Sequence, residues 1–66
     1  DGLGHYRALL AAMPRGLTPG GCIGFEFGID QAVAVTMLMR QAGLLDIEVH
    51  QDLAGIERAA FGRRAP

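Results

Sequence analysis

Cys22-Ile23-Gly24-Phe25-Glu26-Phe27-Gly28-Ile29-Asp30-Gln31 is the stretch that decides the fold. Cys22 to Phe27 is apolar on both alternating faces apart from Glu26, the pattern of a strand covered on two sides, as in a parallel sheet with helices above and below. Gly24 is a poor strand former, so something is expected to pack close to the backbone there. After Gly28, Asp30 reads as a helix N-cap, and good helix formers run from Gln31 to Ala42 until Gly43 supplies the stop. Gln31, Val35, Leu38, Met39 and Ala42 share one face of that helix. Val33 and Met37 lie elsewhere on it, more apolar surface than one stripe requires. Next, Ile47-Glu48-Val49-His50-Gln51-Asp52 alternates apolar and polar over its first four positions, as a strand with one wet face or an edge location does. Strand 22–27, helix 31–42 and strand 47–52 together have the length of a βαβ crossover, which joins parallel strands with right-handed chirality.

On the N-terminal side, Leu3, Tyr6, Leu9, Leu10 and Met13 form one helical stripe from Leu3 to about Met13. Pro14 and Gly16 are expected to stop this helix, with Arg15 placed to favour its negative end. Thr18-Pro19-Gly20-Gly21 then reverses the chain, Pro pre-setting one turn dihedral and Gly permitting a positive φ. On the C-terminal side, Leu53-Ala54-Gly55 breaks the second strand. Glu57 to Phe61 returns as a third, close enough for an antiparallel hairpin, before Gly62 and a polar tail. The order is helix, strand, helix, strand, strand, without internal repeats or low-complexity segments.

A chain of 66 residues supports one small domain. It opens on Asp1, which fits a processed product or a piece of something longer. No covalent or metal staple is visible: Cys22 is the single cysteine, and His5 and His50 are too far apart in sequence for zinc-type spacing. A disulfide-knotted secreted fold is excluded, and a reducing cytoplasm fits best. Seven acidic and six basic residues give a formal charge of -1, too little positive charge to recruit nucleic acid. The Arg63-Arg64 pair reads as a solubilising tail. No apolar run is long enough to span a bilayer, so neither membrane nor direct nucleic-acid contact is expected.

Each chemistry-bearing group has a plain alternative. Gly20-Gly21-x-x-Gly24 precedes a strand, whereas a phosphate loop follows one and opens a helix. The carboxyl end of the first strand is the better ligand position in an open parallel sheet, but Asp30 would repel a phosphate there and reads as a cap. Glu26, a carboxylate inside a buried strand, demands a partner. It serves as a base or polar ligand, or it bonds a neighbouring loop or an Arg such as Arg58, which is the preferred reading. His5 and His50 read as solvent-facing or locally bonded, and Cys22 as a small buried hydrophobe. Met13, Met37 and Met39 read as core or interface filler. Catalytic, cofactor-binding and metal-ligating residues are each expected to number none.

Several segments together resemble the C-terminal part of the PrmC/HemK family, the release factor glutamine methyltransferases that depend on S-adenosylmethionine. Asp1-Gly2-Leu3-Gly4-His5-Tyr6-Arg7 is similar to the family's D-G-L-x-x-Y-R, and Leu17-Thr18-Pro19-Gly20-Gly21 to its L-K-P-G-G turn, with Thr18 in place of Lys. Glu26-Phe27-Gly28-Ile29-Asp30-Gln31 resembles E-I-G-x-D-Q. Asp52-Leu53-Ala54-Gly55-Ile56-Glu57-Arg58 resembles D-L-A-G-x-[DE]-R.

The resemblance implies the C-terminal portion of a class I, Rossmann-like α/β methyltransferase sheet, with residues 1–66 supplying its last three strands, two helices and terminal antiparallel hairpin. It implies methyl transfer from S-adenosylmethionine to the amide nitrogen of the Gly-Gly-Gln glutamine of peptide chain release factors, in the cytoplasm. The family's cofactor loop and its Asn-Pro-Pro-Tyr motif do not occur in residues 1–66. The fragment alone is therefore expected to be inactive and to leave the cofactor to an upstream part. Glu26, Gly28, Asp52, Gly55 and Arg58 are assigned to architecture, at the rear of the substrate region. The alternatives are another class I methyltransferase acting on a small molecule or nucleic acid, and a non-enzymatic module presenting Val33 and Met37 to a partner.

Overall fold

Two helices lie on one face of a three-stranded sheet in the computed structural model, which describes residues 3–66 except for the side chains of Pro14 and Arg15. Asp1 and Gly2 of the opening motif, and the role expected of Arg15, fall outside the described residues. The elements are α1 (Gly4–Gly16), β1 (Cys22–Glu26), α2 (Ala32–Gln41), β2 (Leu45–Gln51) and β3 (Glu57–Arg63).

The sheet order is β1-β3-β2, and β3 runs antiparallel to both neighbours. The expected crossover thus joins parallel strands, but β3 lies between them, filling the gap that α2 spans. Small residues make that possible. Ala60 is fully buried, and a Cβ built on Gly62 would meet the Met39 methyl at 3.1 Å and Leu44 Cβ at 3.3 Å. Val35 and Met39 of α2 are also fully buried, each contributing about 1.5–3 kcal/mol of apolar transfer. Tyr6, Leu10 and Met13 of α1 and Phe25, Phe27 and Leu44 complete the core.

Several expectations are corrected. β1 is covered on one face: Phe25 is buried and Ile23 half-buried, while Cys22, Gly24 and Glu26 alternate to the exposed side. Cys22 is thus no buried hydrophobe. Leu9 is 52% exposed, because α1 leans its Tyr6, Leu10 and Met13 side inward. α1 also continues through Pro14 to Gly16, where Leu17 turns extended and donates its N–H to Met13 O at 2.9 Å. Pro14 has no N–H to give the carbonyl four residues back, so the last turn runs on without that one ladder bond. The tail is tied down too: β3 runs to Arg63, Arg64 N–H donates to Gly21 O at 2.8 Å, and Arg64 Nη1 donates to Leu17 O.

The turn before β1 forms as its sequence dictates. Gly21 N–H donates to Thr18 O at 2.9 Å and Gly20 has φ +79°, the signature of a type II turn with Pro19 leading. α2 ends in a Schellman motif: Leu44 N–H bonds Met39 O at 3.1 Å, Gly43 N–H bonds Arg40 O at 2.9 Å, and Gly43 sits at φ +88°.

Candidate functional site

Because β1 and β2 run parallel, their carboxyl ends share one rim of the sheet, the side on which open α/β sheets collect ligands. The turn after β1 and the loop between β2 and β3 both stand there. They are joined directly, since Phe27 N–H donates to Arg58 O at 2.9 Å.

The turn is built from Gly28 to Gln31. Gly28 N–H donates to Gln31 Oε1 at 2.7 Å and Gln31 N–H returns to Gly28 O at 3.3 Å. Asp30 has φ +68°, a left-handed conformation that Asp tolerates better than most residues. This displaces the expected N-cap. Gln31 occupies the cap position without a side-chain bond to the helix, and Asp30 is an exposed turn residue.

Asp52 organises the loop from 52 to 56. Its Oδ1 accepts the N–H of Ala54 at 2.9 Å and of Ile56 at 3.1 Å, and its Oδ2 accepts Arg58 Nε at 3.0 Å. Asp52 N–H donates to Ile56 O, and Gly55 N–H, at φ +81°, to Asp52 O. The Ile56 amide first, and then the Arg58 guanidinium, hold the Asp52 carboxyl below the ordinary carboxylate range. Arg58 is committed to Asp52, so it does not pair with Glu26.

Glu26 is exposed and not a buried carboxylate, because its side chain alternates to the uncovered face. Its backbone carries the notable contact: Tyr6 Oη donates to Glu26 O at 2.6 Å, while the Tyr6 ring meets Phe25 edge-on at 5.6 Å. The sequence places Tyr6 on the α1 stripe and in the segment similar to D-G-L-x-x-Y-R, and neither names this bond. The signal that points to the bond is that a buried tyrosine hydroxyl needs a partner.

The close approach expected at Gly24 is real. Phe61, its register partner on β3, lies so near that a Cβ on Gly24 would stand 2.5 Å from the ring. His5 is exposed against Tyr6. His50 is exposed as well, with Nε2 3.7 Å from Glu48 Oε2 and its ring 4.9 Å from Phe61. No three His, Cys, Asp or Glu side chains converge to hold a metal ion among the described residues, and no described helix is long and apolar enough to cross a membrane.

Away from the rim, an apolar groove separates α1 from β1, lined by Leu9, Met13, Leu17, Ile23, Gly24 and Phe25 among others. It runs beside the edge of β1 that no other strand of the sheet occupies.

Comparison with known proteins gives these features a family. No family model matches the chain. A release factor glutamine methyltransferase of Burkholderia pseudomallei is 46% identical over 63 residues, covering 96% of this chain and 22% of the relative. One of Bordetella pertussis is 47% identical over 62 residues, covering 94% and 23%. A crystal structure of a release factor-specific protein-(glutamine-N5) methyltransferase from Alicyclobacillus acidocaldarius superposes with a TM-score of 0.77 at 34% identity, over all of this chain and 42% of that one. In sequence and in fold, the chain belongs with the release factor glutamine methyltransferases. It spans about a fifth of the length of the curated relatives it matches. Within that family's frame, both rim segments are held by their own hydrogen bonds, and Asp52, Gly55 and Arg58 have visible architectural work.

Proposed function

We propose that residues 1–66 are the C-terminal part of the catalytic domain of a cytoplasmic protein-(glutamine-N5) methyltransferase. The parent enzyme moves the methyl group of S-adenosylmethionine onto the side-chain amide nitrogen of the Gly-Gly-Gln glutamine in peptide chain release factors. The observation that carries this reading is the likeness of the whole chain, in sequence and in backbone, to enzymes bearing that name. The groove and the open edge of β1 support the fragment reading, since both offer unfilled contacts to a further strand.

The chain's own residues do not suit S-adenosylmethionine. The glycine amides of a cradle are already spent: Gly20 N–H on Arg64 O, Gly21 N–H on Thr18 O and Gly28 N–H on Gln31 Oε1. Asp30 adds a negative charge just before the start of α2. No step of the transfer is therefore assigned to residues 1–66, and the cofactor site is placed elsewhere in the parent.

The parent reading frame, expressed and incubated with S-adenosylmethionine and purified release factors, is expected to methylate the Gly-Gly-Gln glutamine, read by peptide mass spectrometry. The isolated 66 residues are expected to give no binding heat with S-adenosylmethionine by calorimetry. Methylation of a small molecule or nucleic acid instead, or micromolar binding by the isolated chain, overturns the proposal.

A further inference from the structure

Two exposed apolar side chains stand on the rim. Leu53, in the loop after β2, is 109% exposed, as open to solvent as in an extended chain, and Ile29, in the turn after β1, is 60% exposed. Single exposed apolar residues are ordinary on a protein surface. Leu53 is set apart by how firmly its loop is held. Asp52 Oδ1 accepts the N–H groups of Ala54 and Ile56 at 2.9 and 3.1 Å, Asp52 N–H donates to Ile56 O at 2.9 Å, and Gly55 N–H donates to Asp52 O at 3.0 Å. Arg58 braces the same carboxylate at 3.0 Å. Bonds on both sides of Leu53 thus fix the backbone that carries it, and a side chain presented on an ordered loop leaves less entropy to be lost when a partner arrives. The bond from Phe27 N–H to Arg58 O, at 2.9 Å, ties this loop to the turn that carries Ile29.

Charge at the same rim narrows the partner. Segments 26–31 and 51–58 hold four of the seven acidic residues, Glu26, Asp30, Asp52 and Glu57, against one of the six arginines, Arg58, which is committed to Asp52. All four acidic residues are exposed. The remaining segments hold three acidic residues against five arginines, so the acidity of the chain is gathered where Leu53 and Ile29 project. Such a surface repels phosphate, which disfavours a nucleic acid. Two side chains offer too little apolar area to hold a second copy of the chain. A protein surface with an apolar recess among Lys or Arg side chains matches both the knob and its charge.

We infer that Leu53, with Ile29 on the same rim, docks the protein substrate, a deepening that rests on the function proposed above. Leu53 enters an apolar recess on the release factor, and Glu26, Asp30 and Glu57 face the cationic side chains that border it. The carboxyl-end rim is where an open α/β sheet meets its ligands, so docking there brings the substrate to the reacting side of the sheet.

Leu53→Ser in the full-length enzyme tests the apolar contact. KM for an intact release factor is expected to rise about tenfold with kcat within about twofold, the pattern of binding lost equally from ground and transition states. The melting temperature, and affinity for S-adenosylmethionine by calorimetry, should not change, because the side chain stands in solvent. Leu53→Met, apolar and of similar volume, should restore KM. Asp30→Asn removes a charge while keeping a residue that tolerates φ +68°. It should raise KM and flatten the dependence of KM on salt. An unchanged KM in Leu53→Ser would overturn the inference. A raised KM with a lower melting temperature would overturn it too, since another part of the parent would then cover Leu53. Wild-type salt dependence in Asp30→Asn would remove the charge match on which the choice of partner rests. A wild-type enzyme inactive on release factors would instead sink the function proposed above, so the two failures are distinguishable.

Discussion

A carboxylate acts as the centre of the second rim loop. Asp52 accepts two loop amides and the Arg58 guanidinium, and the ionised form is the better acceptor for all three. Its folded pKa lies below the ordinary value of 3.8. A lowered pKa stabilises the fold above the unfolded value, and that contribution is lost as pH falls through the folded one. Asp52→Asn is therefore expected to melt a few degrees below wild type at neutral pH, as followed by circular dichroism. The two curves should converge as the pH is taken below the unfolded Asp52 value. A gap that persists at low pH would assign the effect to geometry and not to charge. The pair is partly exposed, so added salt should narrow the gap at neutral pH. Gly24 is legible for a different reason. A glycine in an apolar strand announces a close neighbour, and Phe61 lies across it, yet only the register of β1 on β3 names that neighbour.

Among the elements, α2 shows most clearly what sequence does and does not carry. Its buried face and its stop follow from helical spacing and from Gly43, and the structure keeps both: Val35 and Met39 are fully buried, while Val33 and Met37 are 72% and 51% exposed. Its start differs from the sequence pattern, since Asp30 caps nothing and instead bends the turn that Gln31 closes from the side. Both roles use a short polar residue before a helix, and local pattern does not separate them. Strand placement has the same limit. An apolar run, an alternating stretch and a short return mark three strands, but that β3 inserts between β1 and β2 depends on Ala60 and Gly62 fitting under α2, a long-range match no window contains. Glu26 meets this limit as well, because one-sided coverage of β1 is settled by which faces the helices choose. The stop itself is testable. Gly43 has φ +88° with no atom within 4 Å of the point a Cβ would occupy, so Gly43→Ala costs only backbone strain, about 1 kcal/mol. Gly43→Asn should lose less, Asn being the next most tolerant residue at this position. Urea midpoints in the order Gly, Asn, Ala check it, and equal midpoints for Asn and Ala would refute it.

Across the whole molecule, the two sheet edges are treated unlike one another. β2 carries the protections expected of an exposed edge: its register shifts between Leu45 and Glu48 and again between His50 and Gln51, and Asp46 and Glu48 place charge along it. Asp46, at φ +53°, is also tied back to Arg63 by contacts of 3.0 and 2.6 Å. β1 has no comparable guard over Cys22 to Gly24, which is uncharged and pairs with β3 without a register shift. Beside it lies the apolar groove under α1, with Leu9 exposed at its wall. An edge of this kind suits a strand that is meant to be covered, which is how the proposed parent would use it. The isolated 66 residues should therefore associate, and should do so through β1 and not β2. Sedimentation velocity is expected to show mass increasing with concentration. Cys22→Pro, which removes an outward N–H without entering the close Gly24–Phe61 contact, should reduce that association, whereas a proline at Val49 should leave it in place. A chain that sediments as a monomer at every concentration would mean that β1 is a finished edge, and the reading of these residues as part of a larger sheet would lose its physical support.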